Sequence, residues 1–140
     1  MGSALAMAAG GVNYYLCYDQ VGTLRVVTNT SEGVEKQIIY DSFGNVLSDS
    51  NPSLAVPFGF AGGLYGPDTG LVHFGARDYD PNTGLWLAKD PIFFKGGDSD
   101  LYRYVQDDPV NWIDPWGLMG GKVFVPFSPV GGPGGNVLVP

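Results

Sequence analysis

A seven-residue pattern, Y-D-x-x-G-x-[LV], occurs twice at a spacing of 22 residues. The copies are Tyr18-Asp19-Gln20-Val21-Gly22-Thr23-Leu24 and Tyr40-Asp41-Ser42-Phe43-Gly44-Asn45-Val46. A looser copy is Tyr79-Asp80-Pro81-Asn82-Thr83-Gly84-Leu85, and a partial one is Tyr65-Gly66-Pro67-Asp68-Thr69-Gly70-Leu71. The physics of the unit is local. The tyrosine ends a strand, and the aspartate carboxylate accepts backbone N–H groups two residues on. The glycine takes the positive-φ position, and an apolar residue starts the next strand. Runs rich in Val, Ile, Thr and Tyr, Leu24 to Thr30 and Val34 to Tyr40, lie between the turns. Each unit is thus a β-hairpin. A lone hairpin cannot bury its apolar face, so neighbours must join edge to edge. The pattern predicts an all-β fold of antiparallel hairpins in a curled sheet, closed by an irregular, Asp-Pro-rich plug at the C-terminal end.

Composition removes the competing classes. Gly (22) and Pro (11) are too frequent in 140 residues for a coiled coil or helix bundle. Charged residues are 15% against a usual value of about 25%, and hydrophobic residues are 44%, too apolar for a disordered chain. A net charge of −7 repels a phosphate backbone, which argues against a nucleic-acid partner. No apolar run approaches the ~20 residues of a membrane-spanning helix. The single cysteine, Cys17, excludes an intramolecular disulfide and reads as a small buried apolar residue of a strand. His73, the only histidine, reads as a strand residue.

Four segments follow. Residues 1–11, Ala/Gly-rich, read as disordered or extraneous to the fold, with at most one helical turn. Residues 12–56 carry the repeat hairpins, and residues 57–118 carry aromatic, glycine-dense and Asp-Pro-rich sequence. The glycines of 57–70 are not followed by a Gly-Lys-Ser/Thr, so no phosphate loop is expected. Residues 119–140 form a Gly/Pro-rich tail whose only charged residue is Lys122. Val123 and Phe124 are expected to be buried in a strand on the inner face or edge of the sheet. Its pairing should fade at Pro126, which lacks an N–H.

Two stretches go beyond composition. One runs Gly75-Ala76-Arg77-Asp78-Tyr79-Asp80-Pro81-Asn82-Thr83-Gly84-Leu85-Trp86 and on to Asp90-Pro91-Ile92. The other runs from Leu101-Tyr102-Arg103-Tyr104 through Asp108-Pro109-Val110-Asn111 to Asp114-Pro115-Trp116-Gly117-Leu118. In order and spacing they resemble the C-terminal core of the Rhs/YD-repeat family, over residues 12–118. The resemblance implies a ribbon of YD hairpins spiralled into a hollow shell, as in Tc toxins, type VI secretion effectors and teneurins. It also implies a core ending in D-P-x-G-L that acts as an aspartyl autoprotease, cutting after the leucine and keeping the freed segment, usually a toxin, inside. The departures are Leu85 where the family has Arg, Gly66 in place of Asp, Phe93-Phe94, and Asp108 in place of Asn. With two clear hairpin repeats before the core, this stretch is too short to close a shell alone, and the tail is too short for a typical toxin enzyme.

Aspartic proteolysis needs two carboxylates close enough to share a proton. The chain offers twelve Asp and two Glu. The resemblance implies Asp90 and Asp114 as the pair, with Arg77 and Asp78 at positions linked to processing and Leu118-Met119 as the cut bond. Arg77 could polarise the scissile carbonyl, hold a carboxylate ionised, or form a structural ion pair. Asp-Pro is also a common turn opener, and Asp80, Asp107 and Asp108 read as structural. A calcium site in Gly96-Gly97-Asp98-Ser99-Asp100 lacks enough ligands without remote partners, so no metal and no cofactor are expected. The leading reading is a shell module that cleaves itself once, in cis. Its partners would be its own C-terminal segment or toxin cargo and other shell chains. Its location would be secreted or extracellular, in a bacterium. The alternatives are an uncleaved β-module assembling through open sheet edges into an oligomer, tube or filament, and a remnant without activity.

Overall fold

The structure, a computed structural model, describes residues 5–91, 100–118 and 123–124. It is all-β: eleven strands and two short 3₁₀ turns, with no α-helix among the described residues. β1 (Ala6–Ala9), β2 (Val12–Tyr18), β3 (Leu24–Asn29), β4 (Val34–Tyr40) and β5 (Val46–Asp49) form one antiparallel meander in chain order. β6 (Leu64–Gly66), β7 (Leu71–Phe74), β8 (Arg77–Asp80) and β9 (Leu85–Trp86) form a second. β10 (Trp112–Ile113) and β11 (Val123–Phe124) make a separate two-stranded ribbon.

The repeat chemistry is visible atom by atom. Asp19 Oδ1 accepts the N–H groups of Val21 and Thr23 at 3.1 and 3.0 Å, and Gly22 has φ 80°. Asp41 Oδ1 accepts those of Phe43 and Asn45 at 2.9 and 3.0 Å, and Gly44 has φ 90°. The intervening turn repeats the device with other residues. Asn29 Oδ1 accepts from Ser31 and Gly33, both at 2.9 Å, and Glu32 takes the positive φ of 64°. Each of the three hairpins also carries a register shift beside its turn, at Cys17/Tyr18, Val27/Thr28 and Ile39/Tyr40. Such bulges sharpen the right-handed twist, which is how a flat ribbon is made to curl.

Alternation sets two core clusters. Leu16, Leu24, Val27 and Ile38 fill the first sheet. Phe60, Val72, Phe74, Tyr79, Trp86, Tyr104 and Val105 fill the second. Tyr40 packs against both. Its phenol is pushed up to about 12 by burial, with Arg25 opposing the shift, so it stays a neutral donor. Polar bonds pin the halves together. Ala61 N–H donates to Thr23 Oγ1 at 2.9 Å, Tyr79 Oη donates to the Phe43 carbonyl at 2.7 Å, and Asn45 Nδ2 donates to the Pro81 carbonyl at 2.8 Å.

Three expectations need correction. Within residues 1–11, Ala6–Ala9 is a strand, paired to Val12–Tyr15 across Gly10-Gly11. Both glycines have positive φ, 57° and 79°, the requirement of a two-residue hairpin turn. The free edge of β2 supplies the hydrogen-bond partners that alanine's weak strand propensity leaves wanting. Cys17 is exposed, because Leu16 takes the inward position and its neighbours must face out. The tail strand lies on neither meander: it pairs with β10, Ile113 opposite Val123 and Trp112 opposite Phe124. Burial of the Val123 and Phe124 side chains, and the course of residues 125–140, lie outside the described residues.

Candidate active site

The turn between β7 and β8 presents Arg77 at the start of β8, pointing into the second core. The chain of Trp116-Gly117 lies directly on this turn, with Ala76 N–H donating to the Trp116 carbonyl at 3.0 Å. Gly117 is required there. It has φ 62°, and a Cβ on it would sit 2.5 Å from the Phe74 carbonyl oxygen. Gly117→Ala should therefore push the 116–118 chain off the turn at a cost above about 1 kcal/mol. Thermal melting would check this, and an unchanged Tm would contradict the close approach.

Arg77 is held from four sides. Its Nε donates to the Gly117 carbonyl at 2.6 Å and its Nη1 to the Leu101 carbonyl at 3.1 Å. Its Nη2 lies 3.4 Å from Asp90 Oδ2 and 3.4 Å from Asp114 Oδ2. The side chains of Arg77, Asp90 and Asp114 are 1, 5 and 0% exposed. Burial pulls the Arg77 guanidinium down, and the two carboxylates oppose that shift. Among the described residues one guanidinium thus faces two carboxylates, all three side chains almost wholly buried, an arrangement that is costly unless it is fully paired. Asp90 is fixed from the backbone as well, its N–H donating to the Leu101 carbonyl at 3.0 Å. Tyr104 is fully buried in the adjoining cluster. Burial raises its phenol well above the usual value, with the charges of Tyr79 and Asp114 adding to the rise.

Asp114 also reaches the end of the core motif. Its Oδ1 accepts the Leu118 N–H at 3.3 Å, and its carbonyl accepts the Gly117 N–H at 3.3 Å. The Asp114-Pro115-Trp116-Gly117-Leu118 turn therefore curls Leu118 back onto the Asp114 carboxylate.

Of the residues expected from the sequence, Arg77, Asp90, Asp114 and Leu118 come together. Asp78 does not. It neighbours Arg77 on a strand, so it faces the other way, half exposed, with its Oδ1 2.8 Å from His73 Nδ1. Met119 lies outside the described residues. Asp80 caps its own turn, Oδ1 accepting the Asn82 N–H at 2.9 Å. Asp108 accepts the Asn111 side-chain amide at 2.9 Å, and exposed Asp107 lies 3.7 Å from Arg103. Most of Gly96-Gly97-Asp98-Ser99-Asp100, the loop too poor in ligands for calcium, lies outside the described residues, and Asp100 accepts the Tyr102 N–H at 3.0 Å. Among the described residues no group of three or more His, Cys, Asp or Glu is placed to hold a metal ion. Sequence reasoning missed the carbonyls of Leu101 and Gly117 as anchors of Arg77. Any residue offers a carbonyl, so side-chain identity carries no such signal.

Comparison with known proteins places the fold. Residues 1–110 match the family described as Teneurin YD-shell, a match that includes β1 and ends before Asp114. Teneurin-3 of Danio rerio is 35% identical over 115 residues, 75% of this chain. Teneurin-1 of Homo sapiens is 41% identical over 118 residues, 80% of this chain. The aligned stretch is 4% of each of those proteins. Among solved structures, TcdB2-TccC3 superposes with a TM-score of 0.71 over 79% of this chain and 5% of its own, at 24% identity. The Photorhabdus luminescens Tc holotoxin pore gives 0.70 over 80% of this chain and 5% of its own, at the same identity. At that identity the likeness concerns the fold, and the fold is that of an antiparallel shell sheet. No helix among the described residues is long and apolar enough to cross a membrane. The chain belongs to the YD-shell family, the Rhs/YD-repeat group that its turns resemble.

Proposed function

We propose that this chain is the closing segment of a YD shell and that it cuts its own Leu118-Met119 bond. The observation that supports this is the Asp114 carboxylate, which accepts the Leu118 N–H while sharing Arg77 Nη2 with Asp90. In the reaction one carboxyl takes a proton from a water molecule. The water oxygen bonds to the Leu118 carbonyl carbon, and the other carboxyl protonates the carbonyl oxygen. The C–N bond to Met119 then breaks and its nitrogen takes the proton. The products are a Leu118 carboxylate and a free amine. With one carboxyl protonated and the other ionised, the Arg77 cation balances the ionised one, a less costly arrangement for groups this buried than two bare carboxylates. The event is a single turnover in cis. The partners in this reading are the chain's own C-terminal segment as cargo and the other chains or segments of a shell, in a secreted or extracellular setting. The teneurin matches do not carry the bacterial source that the sequence resemblance implies.

Denaturing intact-mass measurement of the purified chain tests the reading: a product ending at Leu118 supports it, and a lasting single species at 14.9 kDa opposes it. Asp80→Asn should cleave at the wild-type rate, since Asp80 only caps a turn. A large loss there would place the chemistry at the wrong Asp-Pro.

The uncleaved assembling module is the second reading, favoured by β1, whose outer edge is unpaired among the described residues. Both readings predict association of the isolated chain. Light scattering should show oligomers growing with concentration, and a sharp monomer mass at high concentration would contradict this.

A further inference from the structure

The polar partners of Arg77 leave one direction unguarded. A guanidinium donates its hydrogen bonds in its own plane, so they resist sliding within that plane more than movement out of it. The two carboxylate contacts, at 3.4 Å, are also long beside the ~2.7–2.9 Å of a tight charge-assisted bond. Out of plane, the group meets the ring of Trp86, with Arg77 Cζ 4.2 Å from the ring centroid. That ring is wedged: it is 2% exposed. It meets Phe74, Tyr79 and Tyr104 edge to face at 5.7, 5.9 and 5.3 Å. Its Nε1 has no hydrogen-bond partner among the described residues, so no side-chain hydrogen bond orients the ring.

We infer that Trp86 is a positioning residue, whose ring face fixes the Arg77 guanidinium at the level where it meets both Asp90 and Asp114. A ring's negative face attracts a cation, most strongly for tryptophan, and the attraction grows where water is excluded. Without it the guanidinium keeps its two carbonyl bonds but can tilt out of reach of one carboxylate. The effect on rate rests on the self-cleavage reading; the effect on Arg77 does not.

The test replaces Trp86, site-specifically, with tryptophans carrying one to four ring fluorines. Fluorine drains charge from the ring face with little change of size, so a purely packing role would leave the rate flat. Cleavage after Leu118 should slow stepwise, by about tenfold across the series. In parallel, the Nε–H resonance of Arg77 is measured in uncleaved Asp114→Asn protein. It should be displaced by the indole ring current relative to the same chain carrying Trp86→Leu or, where that does not fold, Trp86→Phe. A flat rate series, or an Arg77 resonance that ignores the residue at position 86, overturns the inference. If no chain in the series cleaves, the self-cleavage reading fails, and a displaced Arg77 resonance still upholds the placement by Trp86.

Discussion

Asp114→Asn will stop the cut after Leu118 and leave the fold standing. Asparagine has nearly the same shape, and its amide oxygen can still accept the Leu118 N–H that Asp114 Oδ1 accepts at 3.3 Å. It cannot take or give a proton at neutral pH, so the acid–base pair loses a member. General acid–base groups contribute roughly 10²–10⁴ in rate, and a loss of that size turns a completed single turnover into an intact chain. The fold should suffer little. Asp90 remains to balance Arg77, and the main cost is the amide Nδ2 that then faces Arg77 Nη2, donor against donor, where Oδ2 stood. Chemical denaturation should show a loss of no more than about 2 kcal/mol. Cleavage at the wild-type rate in this variant would sink the mechanism.

Arg77→Met should do the reverse, acting first on stability. The substitution keeps volume and removes the cation, which leaves Asp90 and Asp114 buried without the guanidinium they share. Breaking a buried pair by deleting one partner costs about 3–5 kcal/mol. The carbonyls of Gly117 and Leu101, which accept from Arg77 at 2.6 and 3.1 Å, also lose their donor. For a chain of this size that is a large share of a typical stability of about 5–15 kcal/mol. Denaturant titration should show a much lower midpoint or no folded baseline. Adding Asp114→Asn to Arg77→Met should recover part of the loss, because the two groups act on one charge balance. A loss below about 1 kcal/mol for Arg77→Met alone would mean that the carboxylates need no counter-charge.

The hairpins could be read from the sequence because their turns are made by local chemistry. An aspartate and a glycine among the five residues between tyrosine and strand specify the turn without help from the rest of the chain. Asn29–Gly33 shows the limit of that reading. The same turn forms there with asparagine for aspartate and Glu32 for glycine, so the motif is hidden while the hydrogen bonds are identical in kind. Cys17 fell on the wrong face because its run, Tyr14 to Tyr18, is apolar on both faces. Only the pairing with β1 and β3 decides that Leu16 points inward. The strand at Ala6–Ala9 depends on a neighbour's edge, which alanine composition cannot announce.

The site divides in the same way. Asp90, Asp114 and Arg77 came from a resemblance in motif order, and they meet although they lie 13 and 37 residues apart. Asp78 came with them and faces outward, since adjacent strand residues cannot share a face. That Trp86 lies over the guanidinium, and that two main-chain carbonyls anchor it, are tertiary facts with no counterpart in residue spacing.

If water hydrolyses the Leu118-Met119 bond beside Asp114, its oxygen must end on the Leu118 carboxylate. The most direct measurement is denaturing mass spectrometry of the chain, synthesised in water enriched in heavy oxygen and transferred at once to denaturant. The product ending at Leu118 should carry one heavy oxygen at the new carboxylate, and the peptide beginning at Met119 should gain none from the cut, carrying only the one that hydrolytic chain release adds at its own C-terminus. An intact chain that persists, or a product cut at any other bond, would contradict it.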